Sequence, residues 1–157
     1  MRISSEELQK TLREIPISSD NEISVYQGGE LTERAMVEET SKILVAFPKM
    51  EPQMINLLRE RFKANGFNDE RLRDAVNYVI DNYRGYDKLP SIADFISYDK
   101  KVRIYTRSEL LEKHKDAYYY GAKYDPIANE YELINYNGKP RYVRKEDFIK
   151  HKLKKWL

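Results

Sequence analysis

The sequence predicts an α+β protein, mainly α, in which a helical bundle is followed by a small module with one β-hairpin and a C-terminal basic helix. Three observations carry that expectation. Apolar residues recur at helical spacing through residues 32–96, with cap and stop signals around each run. Asn137-Gly138 lies between YELINY and KPRYV, the strongest short-range sign of a type I′ hairpin. Charge also changes sign along the chain. Residues 1–46 hold 5 basic and 9 acidic side chains, residues 47–99 hold 8 and 9, and residues 100–157 hold 15 and 8. Domains are therefore expected at 1–98 and 99–157, the second one basic.

Near the start, Ser4-x-x-Glu7 forms a capping-box pattern with Ile3 and Leu8 at staple spacing; Leu8, Leu12 and Ile15 give an apolar stripe, and Pro16 stops the helix. Residues 17–30 read as a loop or short strand around Ile23, Val25 and Tyr26. Gly28-Gly29 lacks the glycine frame and the Lys-Ser/Thr of a phosphate loop and reads as a turn. A longer helix is expected over 32–47, with Leu31 and Met36 as staple. Its inner stripe would be Met36, Thr40, Ile43, Leu44 and Phe47, and its outer face Glu33, Glu38 and Glu39.

Pro52 suits the first position of the next helix, whose stripe is Ile55, Leu58 and Phe62. Gly66 stands where a left-handed residue is wanted, and Phe67 can then touch Phe62, as a Schellman motif prefers. Asn68 or Asp69 caps the helix after it, with Leu72, Ala75, Val76, Val79, Ile80 and Tyr83 on one face. Ser91-x-x-Asp94 caps a further short one carrying Ile92, Phe95 and Ile96. Beyond it, residues 102–105 alternate as an extended segment. Thr106-x-x-Glu109 opens a helix through Leu110 and Leu111 that ends at the Tyr118-Tyr119-Tyr120-Gly121 cluster. Pro140 cannot donate to a ladder, which marks its strand as an edge. KEDFIKHKLKKWL closes the chain as a basic helix with Phe148, Ile149, Leu153, Trp156 and Leu157 on one side.

Composition narrows the function classes. Zero cysteines remove disulfide and thiolate chemistry and fit a cytoplasmic protein; no apolar run reaches membrane-spanning length, and the start lacks a signal-peptide core. His114 and His151 stand in no metal-binding frame, and no nucleophile elbow is present. Asp94 with Asp99, or Asp125 with Glu130 and Glu132, would be the carboxylates of a small Mg-dependent nuclease. Two residues after Glu132 comes Ile134, so the lysine of an Asp…Glu-x-Lys site is missing. No catalytic residue, metal or cofactor is expected.

Binding signals are richer. Lys and Arg neutralise phosphates, and exposed aromatics stack on unpaired bases. The candidate nucleic-acid contacts are Lys123, Arg141, Arg144, Lys145, Lys150, Lys154 and Lys155, with Tyr119 and Tyr142. DNA is the expected ligand, and no membrane partner is expected. Two other readings remain open: a winged-helix-like DNA-binding regulator with the hairpin as wing, and an inhibitor or interaction module without nucleic-acid binding.

The central stretch also carries a resemblance. FPKM-x-P, an amphipathic helix, Gly66-Phe67, a second helix rich in alanine and valine, and then KLPSIADFI resemble the phage replicative-helicase loader/inhibitor family of small helical replication proteins. The resemblance spans residues 47–96 and rests on Pro90, Ser91, Ile92, Ala93 and Asp94, the last standing where the family has glutamate. It implies a replicative helicase as partner, Ser91 and Asp94 as partner-binding residues, and no catalysis. Together these readings point to a non-enzymatic adaptor of phage or mobile-element DNA replication.

Overall fold

The structure is a computed structural model that describes residues 21–85, 88–119, 121 and 123–155. The Ser4-capped helix expected at the start lies outside the described residues, as do Tyr120, Trp156 and Leu157. The class is α+β, mainly α. The chain divides into two compact units, one of residues 26–100 and one that joins the residues up to Val25 with those from Lys101 onward. Backbone pairing makes that join: β1 (Glu22–Ser24) runs antiparallel to β2 (Lys101–Arg103), with Ile23 opposite Val102 and both buried.

In the helical unit, α1 (Glu33–Ala46) starts at Thr32, whose hydroxyl accepts from Ala35 N at 3.1 Å. α2 (Pro52–Ala64) has proline in its first turn, where a missing N–H breaks no intrahelical bond. It ends in the expected Schellman motif. Gly66 sits at φ 69°, Phe67 N donates to Phe62 O at 3.2 Å, and the two rings lie 5.0 Å apart. α3 (Asp69–Asn82) is capped by Asn68, which accepts from Arg71 N at 2.9 Å. Asp69 reaches back to Thr32 N at 2.7 Å and Thr32 Oγ1 at 2.9 Å, tying the starts of α1 and α3 together. α4 (Ile92–Ile96) has a complete Ser91–Asp94 capping box. Met36, Ile43, Leu58, Phe62, Leu72, Val76 and Phe95 fill one core between the four helices. Arg71 locks the end of the unit: its guanidinium lies 4.0 Å from the Phe67 ring centre, and Nε donates to Tyr98 O at 2.8 Å.

Two expectations about α1 change. Leu44, placed on the inner stripe, is exposed, whereas Glu39, placed outside, is buried. Glu39 is three residues after Met36 and four before Ile43, so it lies on the line that faces α3. Burying a carboxylate requires a partner, and Lys42 Nζ supplies the charge 2.6 Å from Oε2. That contact is ionic rather than an aligned hydrogen bond.

The basic unit adds α5 (Arg107–Lys113), α6 (Lys115–Tyr119), α7 (Pro126–Glu130), β3 (Tyr131–Tyr136), β4 (Lys139–Arg144) and α8 (Lys145–Lys150). The helix expected from Thr106 to the tyrosine cluster breaks at His114. The short α7 is capped by Asp125 and opened by Pro126, a signal the sequence reading passed over. β3 and β4 pair as expected, and Asn137 (φ 51°) and Gly138 (φ 82°) form the turn. β4 is not an edge strand throughout. Tyr105 and Tyr142 exchange two backbone hydrogen bonds of 2.8 Å, so β4 is paired on both sides there. Position 140 has the same backbone orientation as Tyr142, whose N–H points to Tyr105 and away from β3, so the N–H that Pro140 lacks is not one the hairpin would use. The closing helix is also shorter than expected. Lys152 takes the left-handed C′ position (φ 52°), Leu153 N donates to Phe148 O at 3.0 Å, and Ile149 is left exposed while Leu153 is buried.

Candidate nucleic-acid interface

Side chains alternate across β4, so the cations expected to act together part company. Arg141 shares a face with the buried Val143; Tyr142 and Arg144 share the other, across from Leu133 and the buried Tyr131. Arg141 is half-buried, donates from Nη1 to its neighbour's carbonyl, Pro140 O, at 2.8 Å, and its Nε has no partner. Both faces of the hairpin therefore serve as core, and the basic face forms elsewhere.

It forms where α5 meets the Tyr142 side of β4. Tyr105, Leu110, Ile127 and Tyr131 make a small core there, with Tyr142 packed against it. The Tyr105 and Tyr131 rings meet edge to face at 5.6 Å. Two cations rest on Tyr105: the Arg103 guanidinium 5.2 Å and Lys113 Nζ 5.1 Å from the ring centre. Arg107 Nη1 donates to Tyr142 Oη at 3.3 Å. Beside them Lys113, His114, Tyr131 and Arg144 line a pocket of about 370 Å³, to which Glu130 and Glu146 also contribute. His114 Nε2 lies 3.0 Å from Tyr131 Oη.

A ring beneath an exposed cation contributes about 0.5–1 kcal/mol, enough to orient the charge without neutralising it. Arg103–Glu109 and Arg144–Glu146 are ion pairs of 3.5 Å whose side chains are all exposed, by 40% to 74%. Such pairs contribute little and yield to a competing phosphate. The result is a set of pre-aimed cations, Arg103, Arg107, Lys113 and Arg144, on a tyrosine floor. Only Arg144 and Tyr142 among the sequence candidates belong to it. Arg103, Arg107 and Lys113 escaped notice because their spacing resembles that of any solvated helix or strand cation; the partner rings come from distant segments.

The other candidates scatter. Lys123, Lys150, Lys154 and Lys155 are exposed and Lys145 is half-buried. Tyr119, 81% exposed, and Tyr124, 54% exposed, project near α6 and α7. Asp125 is occupied: it accepts from Ile127 N at 3.1 Å, Ala128 N at 3.3 Å and the Tyr118 hydroxyl. The Tyr118 bond is the chief reason its carboxyl sits below the usual carboxylate range. Glu130 lines the pocket while Glu132 lies in β3 opposite Val143. Among the described residues no group of three or more His, Cys, Asp or Glu is placed to hold a metal ion.

In the helical unit, Ser91 and Asp94 are exposed and bonded to each other, Ser91 N donating to Asp94 Oδ2 at 2.7 Å. α1 leaves Val37, Leu44 and Val45 in the open at spacings of seven and eight, one helix face. Comparison with protein-family models, curated proteins and solved structures returned no match. The resemblance of residues 47–96 to helicase loaders thus stays an observation about sequence. Among the described residues, no helix is long and apolar enough to cross a membrane.

Proposed function

We propose that this protein is a non-enzymatic adaptor of phage or mobile-element DNA replication, working in the cytoplasm. Its basic unit contacts nucleic acid and its helical unit holds a protein partner, for which the sequence resemblance suggests a replicative helicase. The observation that carries the nucleic-acid half is the placement of Arg103, Arg107, Lys113 and Arg144 around the Tyr105, Tyr131 and Tyr142 rings. The partner half draws on the open apolar line of α1.

Single-stranded nucleic acid suits this face best. The helix just before the hairpin, α7, has five residues, about 7.5 Å at 1.5 Å per residue, too short to read a major groove. Tyr119 and Tyr124 offer open rings for stacking. The winged-helix reading keeps one point in its favour, since Tyr105 pairs with the second hairpin strand and gives the order strand, helices, hairpin.

Titrating the full chain with labelled single- and double-stranded DNA at two salt concentrations tests this. Binding should weaken with salt, the single strand should bind more tightly, and Arg107→Glu with Arg144→Glu should cost tenfold or more. Absence of binding at low salt, or indifference to that double substitution, would sink the nucleic-acid half; preference for the duplex would favour the wing.

A further inference from the structure

The pocket in the basic unit forms where three element ends meet. The close of α5 brings Lys113 and His114, the α7–β3 junction brings Glu130 and Tyr131, and the β4–α8 junction brings Arg144 and Glu146. These residues and their chain neighbours all lie among the described residues of one compact unit. Its aromatic wall is rigidly built. Tyr131 is buried, sits opposite Arg144 in the hairpin register, and meets the Tyr105 and His114 rings near edge to face at 5.6 and 5.7 Å. His114 Nε2 lies 3.0 Å from Tyr131 Oη and so ties the end of α5 to the start of β3. The charged groups are less committed. Lys113, Glu130, Arg144 and Glu146 are exposed. Among the described residues the 3.5 Å pair of Arg144 with Glu146 is the one ion pair that engages any of them.

We infer that this pocket takes one unpaired guanine base of a bound single strand. The inference rests on the reading of the basic unit as a single-strand contact and adds which base it selects. Phosphate alone does not suit the lining, because a carboxylate repels it about as strongly as a cation at equal distance attracts it. Both signs together suit a neutral group that presents acceptors and donors side by side. Guanine offers two adjacent acceptors, O6 and N7, which Arg and Lys favour. It also offers two adjacent donors, N1–H and the 2-amino group, which one carboxylate accepts together. In a single strand both edges are open, and bases rest against Tyr and His rings. Thymine has a single ring N–H, and adenine and cytosine a single amino group each, so they satisfy a carboxylate only in part. The volume of about 370 Å³ lies within the range of about 300–1,000 Å³ usual for small-ligand sites. Backbone phosphates are left to Arg103 and Arg107, which stand outside the pocket lining.

The test titrates the full chain, by fluorescence anisotropy at low salt, against fluorescein-labelled nonathymidylate. Four further probes carry a single central guanine, hypoxanthine, adenine or cytosine. The guanine probe should bind at least threefold more tightly than each of the others, including hypoxanthine, which lacks only the 2-amino group. Glu130→Gln with Glu146→Gln should reverse the usual sign of a lost contact. Nonathymidylate should bind that variant more tightly, because two negative charges leave the site, while the preference for guanine should fall below threefold. Tight nonathymidylate binding also reports that the variant is folded. A guanine preference below threefold in the unaltered chain, hypoxanthine binding as well as guanine, or a preference that survives both substitutions would overturn the inference. So would weaker nonathymidylate binding by the variant, which assigns the glutamates a structural role. Free guanosine monophosphate should displace the guanine probe only at tenfold or more the concentration of unlabelled oligonucleotide; displacement at a lower concentration would give the pocket to a free nucleotide instead. Equal binding of all five probes removes this inference alone, whereas no binding of any probe removes the nucleic-acid reading with it.

Discussion

The two units solve the same problem with different side chains. The helical unit is held by aliphatic groups and phenylalanine at helical spacing, and several of its polar groups serve caps and clamps: Thr32, Asn68, Asp69, Arg71 and the Ser91–Asp94 pair. The basic unit buries aliphatic residues too, but in its cluster of Tyr105, Leu110, Ile127 and Tyr131 tyrosine does part of that work. Each buried tyrosine brings a polar tip that must find a partner, as Tyr131 does in His114 and Tyr142 in Arg107. A core made of rings with polar edges leaves cations resting on its rim. Folding and ligand contact therefore draw on separate residues in the helical unit and on overlapping residues in the basic one.

The sharpest way to break this comparison is to alter one core ring in each unit. Phe62 is fully buried among Phe67, Phe95 and the α3 stripe, and Phe62→Ala should cost about 3–5 kcal/mol through lost burial and the cavity left behind. Tyr131→Phe keeps the ring and loses the His114 contact, about 1 kcal/mol. Urea denaturation of the two variants should show that ordering; a larger loss for Tyr131→Phe would contradict it.

A second prediction concerns Tyr26, whose hydroxyl donates to Asp74 Oδ2 at 2.6 Å. Burial, then the bonds to Asp74 and Tyr98, hold its phenol well above the ordinary tyrosine range. The folded chain keeps a proton that the unfolded chain releases above about pH 10, so the unfolded state binds fewer protons there and stability falls as pH rises. The contribution is fully present below about pH 10. Tyr26→Phe should cost about 1–2 kcal/mol at neutral pH and flatten the alkaline decline, measured as denaturation midpoints between pH 8 and 11. An unchanged slope would show that the Asp74 bond does not govern it.

The smallest effect lies at the end of α8. Lys152 occupies a left-handed position that glycine fills without strain, so Lys152→Gly should raise stability by about 0.5–1 kcal/mol, read as a higher thermal midpoint. A drop would mean that the lysine side chain makes a compensating contact.

Local chemistry was legible from the residues alone. Asn68, Ser91, Thr106, Gly66 and Asn137-Gly138 announce their caps and turns because those signals act within a few residues, and the periodic stripes locate the inner faces of α2 and α3. Where partners come from far along the chain, the same reasoning stops short. That Glu39 lies inward beside Lys42, that β1 pairs with β2, and that Tyr105 closes on Tyr142 depend on which surfaces meet. The candidate interface is the clearest instance. Sequence determined that the last third is basic and rich in tyrosine, but strand alternation sent Arg141 and Arg144 to opposite faces. Only tertiary packing decided that Arg103, Arg107 and Lys113 gather around Tyr105 and Tyr142, because a cation over a ring is a contact in space that no local spacing records.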